Sequence, residues 1–126
     1  MKIKENTEIT FNWFEAFNEH DIEKLLSLYH EDAQHYSPKL KIRYAESNGV
    51  IGGKEALRDW WSDAFDRLPD LQYEIISFTV NKDFVQMVYK RTVKNEPDME
   101  VNEVLNIKDG LIISSAIMDS HVTSGK

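Results

Sequence analysis

From Thr7 to Asn18 the apolar residues Ile9, Trp13, Ala16 and Phe17 recur at helical spacing, and Glu8 sits early, where a carboxylate complements the helix dipole. The spacing predicts a first helix. Asn18-Glu19-His20-Asp21 breaks the pattern, and Asp21 suits the N-cap of a short second helix carrying Ile22, Leu25, Leu26, Leu28 and Tyr29. Ala33 to Ser37 reads as a short strand ending at Pro38, followed by an irregular loop from Lys39 to Ile51. Gly52-Gly53 opens a third helix, with Leu57, Trp60, Trp61, Ala64, Phe65 and Leu68 on one face and Pro69 beyond its end. Thereafter the period changes to two, predicting strands over Leu71–Val80, Phe84–Lys94, Met99–Lys108 and Leu111–Val122 joined as a meander. Helices first and strands later define the α+β class: three N-terminal helices packed into a curved antiparallel sheet that encloses a pocket. Residues 1–123 read as a single domain and Ser124-Gly125-Lys126 as a free tail.

Composition narrows the partners more than the fold. A chain of 126 residues buries a core without staples, and the absence of cysteine excludes disulfides, thiolate metal sites and cysteine nucleophiles. The net charge of −7 argues against nucleic acid and anionic lipid, and favours a neutral, cationic or apolar ligand. No apolar run approaches a membrane span, and Met1 to Asn6 lacks the apolar stretch of a secretory leader, so the expected location is cytoplasmic. His30, Glu31, Asp32 and His35 lie close in sequence, but no HExxH-like spacing puts two on one helical face, so no metal is expected. Nor does any motif call for a cofactor.

Four segments carry a family likeness: Trp13 to Asp21, Leu28 to Ala33, Gly53 to Leu57, and Ile107 to Gly110. In order and spacing they resemble the nuclear transport factor 2-like superfamily, which includes SnoaL-like polyketide cyclases and ketosteroid isomerases. The resemblance implies a cone-shaped half-barrel whose mouth is covered by helices, a small apolar or aromatic ligand, and a homodimer formed through the outer sheet face. It also implies that Glu103 stands where ketosteroid isomerases carry their oxyanion-stabilising aspartic acid. Trp13 and Ser37 stand where those enzymes have a tyrosine and an aspartate base, which speaks against ketosteroid isomerase activity itself.

On the face of Met99, Val101, Glu103, Leu105 and Ile107 only Glu103 is polar. Burial would raise its pKa and suit it to acid/base work. With Glu96-Pro97-Asp98 as the hairpin loop, however, Arg91 falls opposite Glu103 and Tyr89 opposite Leu105, so an ion pair would keep Glu103 charged. Both readings stay open. In the last strand a three-residue Lys108-Asp109-Gly110 loop sends Ser115, Ile117 and Asp119 inward and puts Ser115 opposite Glu103. A two-residue Asp109-Gly110 turn sends Ser114, Ala116 and Met118 inward instead. The first is preferred, making Asp119 a catalytic candidate near the aspartate of SnoaL-like cyclases, against a solvent-exposed strand end. His35 is either an acid/base or a hydrogen-bonded core histidine. Trp13 offers either an indole N–H to a ligand or plain core packing. Phe17, Tyr29, Ser37, Trp61, Tyr89, Arg91 and Ser115 complete the expected ligand-binding wall, and Lys39, Lys41 and Arg43 either guard the mouth or are solvated.

Overall fold

The computed structural model describes residues 2–123, so the tail expected over 124–126 lies outside the described residues. Helix α1 spans Lys2–Glu19, a full turn longer at its N-terminus than the apolar spacing marks. It ends where His20 takes a left-handed conformation (φ 55°), and the amides of His20 and Asp21 return to the carbonyls of Phe17 and Ala16. This paired closure satisfies the last orphan carbonyls without a glycine. Asp21 then caps α2 (Ile22–Ser27) by accepting from the Lys24 amide. Tyr29, expected at the end of that helix, instead opens strand β1 (Tyr29–Tyr36).

The segment 39–51, expected to be an irregular loop, is structured. Helix α3 (Pro38–Arg43) begins with Ser37 as N-cap and proline at the first helical position, followed by a 3₁₀ turn over Ala45–Ser47 and strand β2 (Val50–Gly52). Serine followed by proline is a helix start as much as a strand end, because proline presets φ where its missing N–H costs nothing. Gly49 (φ 84°) lies so close to Tyr36 that a Cβ would stand 2.7 Å from its ring, and this lets β2 fold back beside β1. Helix α4 (Lys54–Arg67) follows, buries Leu57, Trp61 and Phe65, and is tied to β1 through Gly53 N–H donating to the Ala33 carbonyl.

Strands β3 (Gln72–Val80), β4 (Phe84–Thr92), β5 (Met99–Lys108) and β6 (Leu111–Val122) form the expected meander. The six-stranded sheet runs β2-β1-β6-β5-β4-β3. One pairing departs from an all-antiparallel sheet: β1 and β6 run parallel, because β1 enters from the helical hairpin and lies against the last strand.

Curvature comes from bulges, which insert an unpaired residue and bend the strand. The register shifts around Ile76 in β3 and around Ile113 and Met118 in β6, and all three side chains are exposed. Into the resulting concave face pack α1, α2 and α4. Trp13 occupies the centre, fully buried, with ring centroids 4.5 Å from Phe17, 5.0 Å from Phe14 and 5.8 Å from both Tyr73 and Tyr89. Replacing a buried aromatic of this kind leaves a cavity that surrounding strands cannot close. Trp13→Ala is therefore expected to lower unfolding free energy by about 3–5 kcal/mol in a urea titration; a loss below about 1 kcal/mol would contradict this central role.

Candidate functional site

Between the concave sheet and α4 lies a cavity of about 210 Å³. Buried Phe17, His35, Trp61, Leu71, Tyr89, Val101 and Glu103 line its floor with half-buried Tyr73, while exposed Pro38, Lys39, Arg67, Glu96 and Ser120 line its mouth. The volume falls below the ~300–1,000 Å³ of pockets for drug-sized molecules, so it suits a small ligand. Among the described residues no helix is long and apolar enough to cross a membrane.

Among the described residues Glu103, 2% exposed, is the one carboxylic acid on the floor. The sheet register explains its neighbours. The β4–β5 loop is longer than the sequence reading assumed, so Arg91 faces Met99, Tyr89 faces Val101 and Met87 faces Glu103. The slip is an even number of residues, so every side chain keeps its face while each partner changes. The expected cross-strand Arg91–Glu103 ion pair does not form: Arg91 donates to Glu96 Oε1 at 3.2 Å. Tyr89, diagonal to Glu103, donates its hydroxyl to Glu103 Oε1 at 2.6 Å. Burial raises the Glu103 carboxyl to about 7 from an ordinary 4.5, and the Tyr89 hydrogen bond opposes this only in part. Burial and then the Glu103 charge push Tyr89 well above its ordinary value, so it remains a donor.

His35 Nδ1 lies 4.0 Å from Glu103 Oε2 and 2.7 Å from Ser115 Oγ. A buried chain leads to it: the Trp13 indole N–H donates to Tyr29 Oη (3.1 Å), and the Tyr29 hydroxyl donates to Ser115 Oγ (2.9 Å). An indole nitrogen can only donate, so Tyr29 Oη accepts from Trp13 and passes its own proton to Ser115 Oγ, which lies within hydrogen-bond distance of His35 Nδ1. A Ser115 hydroxyl donating to Nδ1 corresponds to the Nε2–H tautomer of the imidazole. Burial pushes the imidazole down to about 4, against a smaller opposing effect of a hydrogen bond with the Ser115 backbone, so His35 is neutral near pH 7. No buried side-chain nitrogen or oxygen among the described residues lacks a partner. His35 Nε2 and Glu103 Oε2 make no hydrogen bond to the described residues, so both open on the cavity.

The other expected site residues divide between wall and support. Phe17, Ser37, Trp61, Tyr89 and Arg91 line the cavity, and Ser37 also caps α3 through the Lys39 amide. Trp13, Tyr29 and Ser115 stand behind it as the chain that orients His35; the Trp13 N–H is engaged by Tyr29 and not offered to a ligand. Ser115 faces Leu105, not Glu103. It does point inward, but by another route: Asp109-Gly110 forms a two-residue turn with both φ positive, and the bulge at Ile113 turns the strand over afterwards. The second bulge, at Met118, removes Asp119 from the site. Asp119 pairs with Asn102, its side chain 70% exposed, and Ser120 takes the inward position. His30, Glu31 and Asp32 are exposed along β1 and do not share the cavity with His35. Lys41 lies over the Tyr36 ring and Arg43 pairs with Asp63, so only Lys39 of those three cations reaches the mouth.

Residues the sequence reading missed include Tyr73, Arg67 and Ser120. The alternation of β3 could have pointed to Tyr73, which shares parity with Leu71. Ser120 carried no such signal, since one bulge decides its face.

Helices packed into a curved, half-open sheet, with an acid on the floor of the cavity, define a cone-shaped α+β domain. The profile of the SnoaL-like domain matches residues 11–115, and the chain belongs to that family. No curated protein matches the chain. Among solved structures it is similar to a SnoaL-like protein of unknown function from Burkholderia thailandensis (24% identity, 96% of each chain covered, TM-score 0.81). It is also similar to a candidate polyketide cyclase from Sinorhizobium meliloti (20% identity, 88% of this chain and 94% of that one, TM-score 0.74). A candidate ketosteroid isomerase from Kribbella flavida matches at 14% identity over 98% of this chain and 85% of its own, with TM-score 0.73. At these identities the likeness establishes the fold.

The Glu103 assignment has a thermodynamic consequence. Below about pH 4.5 its carboxyl is neutral in both folded and unfolded chains; as pH rises towards 7 only the unfolded chain ionises, so stability is lost across that window. Relative to Glu103→Gln, the wild type is expected to lose ~3 kcal/mol between those limits and nothing further above them. Denaturant unfolding of both proteins at each pH measures it, and a pH-independent difference would mean that Glu103 titrates normally.

Proposed function

We propose that this domain binds a small, largely apolar carbonyl compound and transfers a proton within it without a cofactor, as in an isomerisation, cyclisation or dehydration. The observation that carries the reading is the Glu103 carboxyl: buried, poised near neutrality, one oxygen held by Tyr89 and the other open to the cavity beside a neutral imidazole. An acid whose pKa lies near working pH serves as donor and acceptor in turn. As a carboxylate, Glu103 takes a proton from the carbon next to the carbonyl. The C–H electron pair moves into the carbon framework and onto the carbonyl oxygen as an enolate. His35 Nε2–H holds that oxygen as a neutral hydrogen-bond donor, its tautomer set by Ser115, Tyr29 and Trp13. Glu103 then returns the proton to a different carbon, which completes an isomerisation with atoms and charge balanced. Phe17, Trp61, Tyr73 and Tyr89 supply the apolar walls that exclude water from the enolate.

Exchange of the α-protons of 2-tetralone into D₂O, followed by NMR, tests the chemistry with a defined probe. The wild type is expected to accelerate exchange, with a rate that rises through about pH 7, and Glu103→Gln to reduce the acceleration by about 10²–10⁴-fold. Exchange undiminished in Glu103→Gln would sink the proposed role. Pairing of two copies through the outer sheet face belongs to the same proposal and is supported by the exposed Ile76, Phe84, Ile113 and Met118. Sedimentation equilibrium is expected to show a dimer that Ile113→Asp converts to a monomer; a monomeric wild type would end that part of the reading.

A further inference from the structure

The mouth of the cavity carries charge of the wrong sign for the protein as a whole. In a chain of net charge −7, three cations, Lys39, Arg67 and Arg91, line the mouth and upper wall against one carboxylate there, Glu96. Arg67 is held from outside by Asp63 at 2.7 Å. Arg91 is different: 8% exposed, with a single carboxylate contact, from one nitrogen to Glu96 at 3.2 Å. A guanidinium has five N–H donors, and Arg91, which lines the cavity, gives Glu96 only one of its nitrogens. Lys39 forms no ion pair among the described residues. Its ammonium is pushed below its ordinary value by burial and next by the Arg91 guanidinium, with Glu96 opposing and Arg67 adding to the effect. Three cations crowded around one carboxylate repel each other, and an anion between Lys39 and Arg91 relieves that repulsion.

We infer that the ligand of this cavity is an amphipathic anion, an aromatic or alicyclic body on the Glu103 floor with a carboxylate at its outer end held between Arg91 and Lys39. Arg91 offers a planar fork matched to a carboxylate, and Lys39 adds a point charge nearer solvent. The polarity of the cavity fixes the orientation: burial on the floor opposes a permanent charge there, as it does for Glu103 and His35, and the apolar walls of Phe17, Trp61 and Tyr73 reject one midway. The net negative charge of the chain, which disfavours acidic polymers, does not govern this site, because the nearest charges dominate at short range.

This inference rests on the cavity being a ligand site but not on the proton transfer. NMR titration following backbone amide shifts, with 2-naphthoate and its neutral isostere 2-naphthamide, tests it. The wild type is expected to bind the carboxylate about tenfold more tightly than the amide, with a preference that shrinks as salt is raised. Arg91→Gln is expected to abolish the preference and Lys39→Gln to reduce it; Lys39 is exposed, so that variant reports even if Arg91→Gln fails to fold. Equal affinity for the two probes in the wild type would overturn the anion assignment while leaving the cavity a site for neutral ligands. A preference that persists in both variants would also overturn it. Binding of neither probe would overturn it together with the aromatic-ligand reading. A carboxylate preference without any tetralone exchange would uphold it and count against the proposed chemistry.

Discussion

The curvature of the sheet is the constraint on which the rest of the molecule depends. Flat strands of this length would present one face for the helices to cover and leave no interior volume. The bulges around Ile76, Ile113 and Met118 bend β3 and β6 so that the helices close over a concavity and do not seal it. The aromatic cluster around Trp13 fills its depth, and the space left between α4 and the sheet becomes the cavity. The same bulges set the site's inventory, since each turns over the part of the strand that follows it. Ser115 points in after one bulge; Asp119 points out and Ser120 in after the second.

Within that cavity the polar groups are separated by depth. Glu103, Tyr89 and His35 lie at the bottom, where burial opposes charge and drives the carboxyl up and the imidazole down. Both effects favour neutral forms, so a buried acid and base stand 4.0 Å apart without becoming a fixed ion pair. That is the condition for a proton to be mobile between protein and ligand. Of the permanent charges, Lys39, Arg67 and Glu96 stand where solvent reaches them, and buried Arg91 is paired with Glu96. An Arg91–Glu103 pair would have joined the two layers and locked the acid as a carboxylate; the longer β4–β5 loop prevents it by shifting the register.

The elements that could be read from the chain are those whose signal is repeated. Four strands of period two and the helix around Trp61 lie close to their expected limits, and the helix around Trp13 runs a turn further at its N-terminus, because many side chains share one face and outvote any single exception. Glu103 was conspicuous as a lone acid on an apolar face, and the family likeness placed it in the interior. The segment 39–51 departs from the expected loop because Ser37-Pro38 serves a strand end and a helix start equally well. The Arg91–Glu103 pairing failed for a related reason: a loop rich in turn formers does not state its own length, and Asn95 with positive φ extends the turn back to Val93.

The sequence by itself determined the fold class, the apolar faces, the inward acid and the aromatic walls, because these follow from periodicity and side-chain chemistry summed over many residues. Only the tertiary structure decided which groups meet. The parallel seating of β1 on β6 brings His35 to Ser115, and the diagonal across β4 and β5 brings Tyr89 to Glu103. The Met118 bulge dismisses Asp119, and the hairpin loop sends Arg91 to the mouth. The physical reason is common to all of them: strand partners are set by register, register is set by single-residue events in loops and bulges, and such events leave almost no trace in local composition.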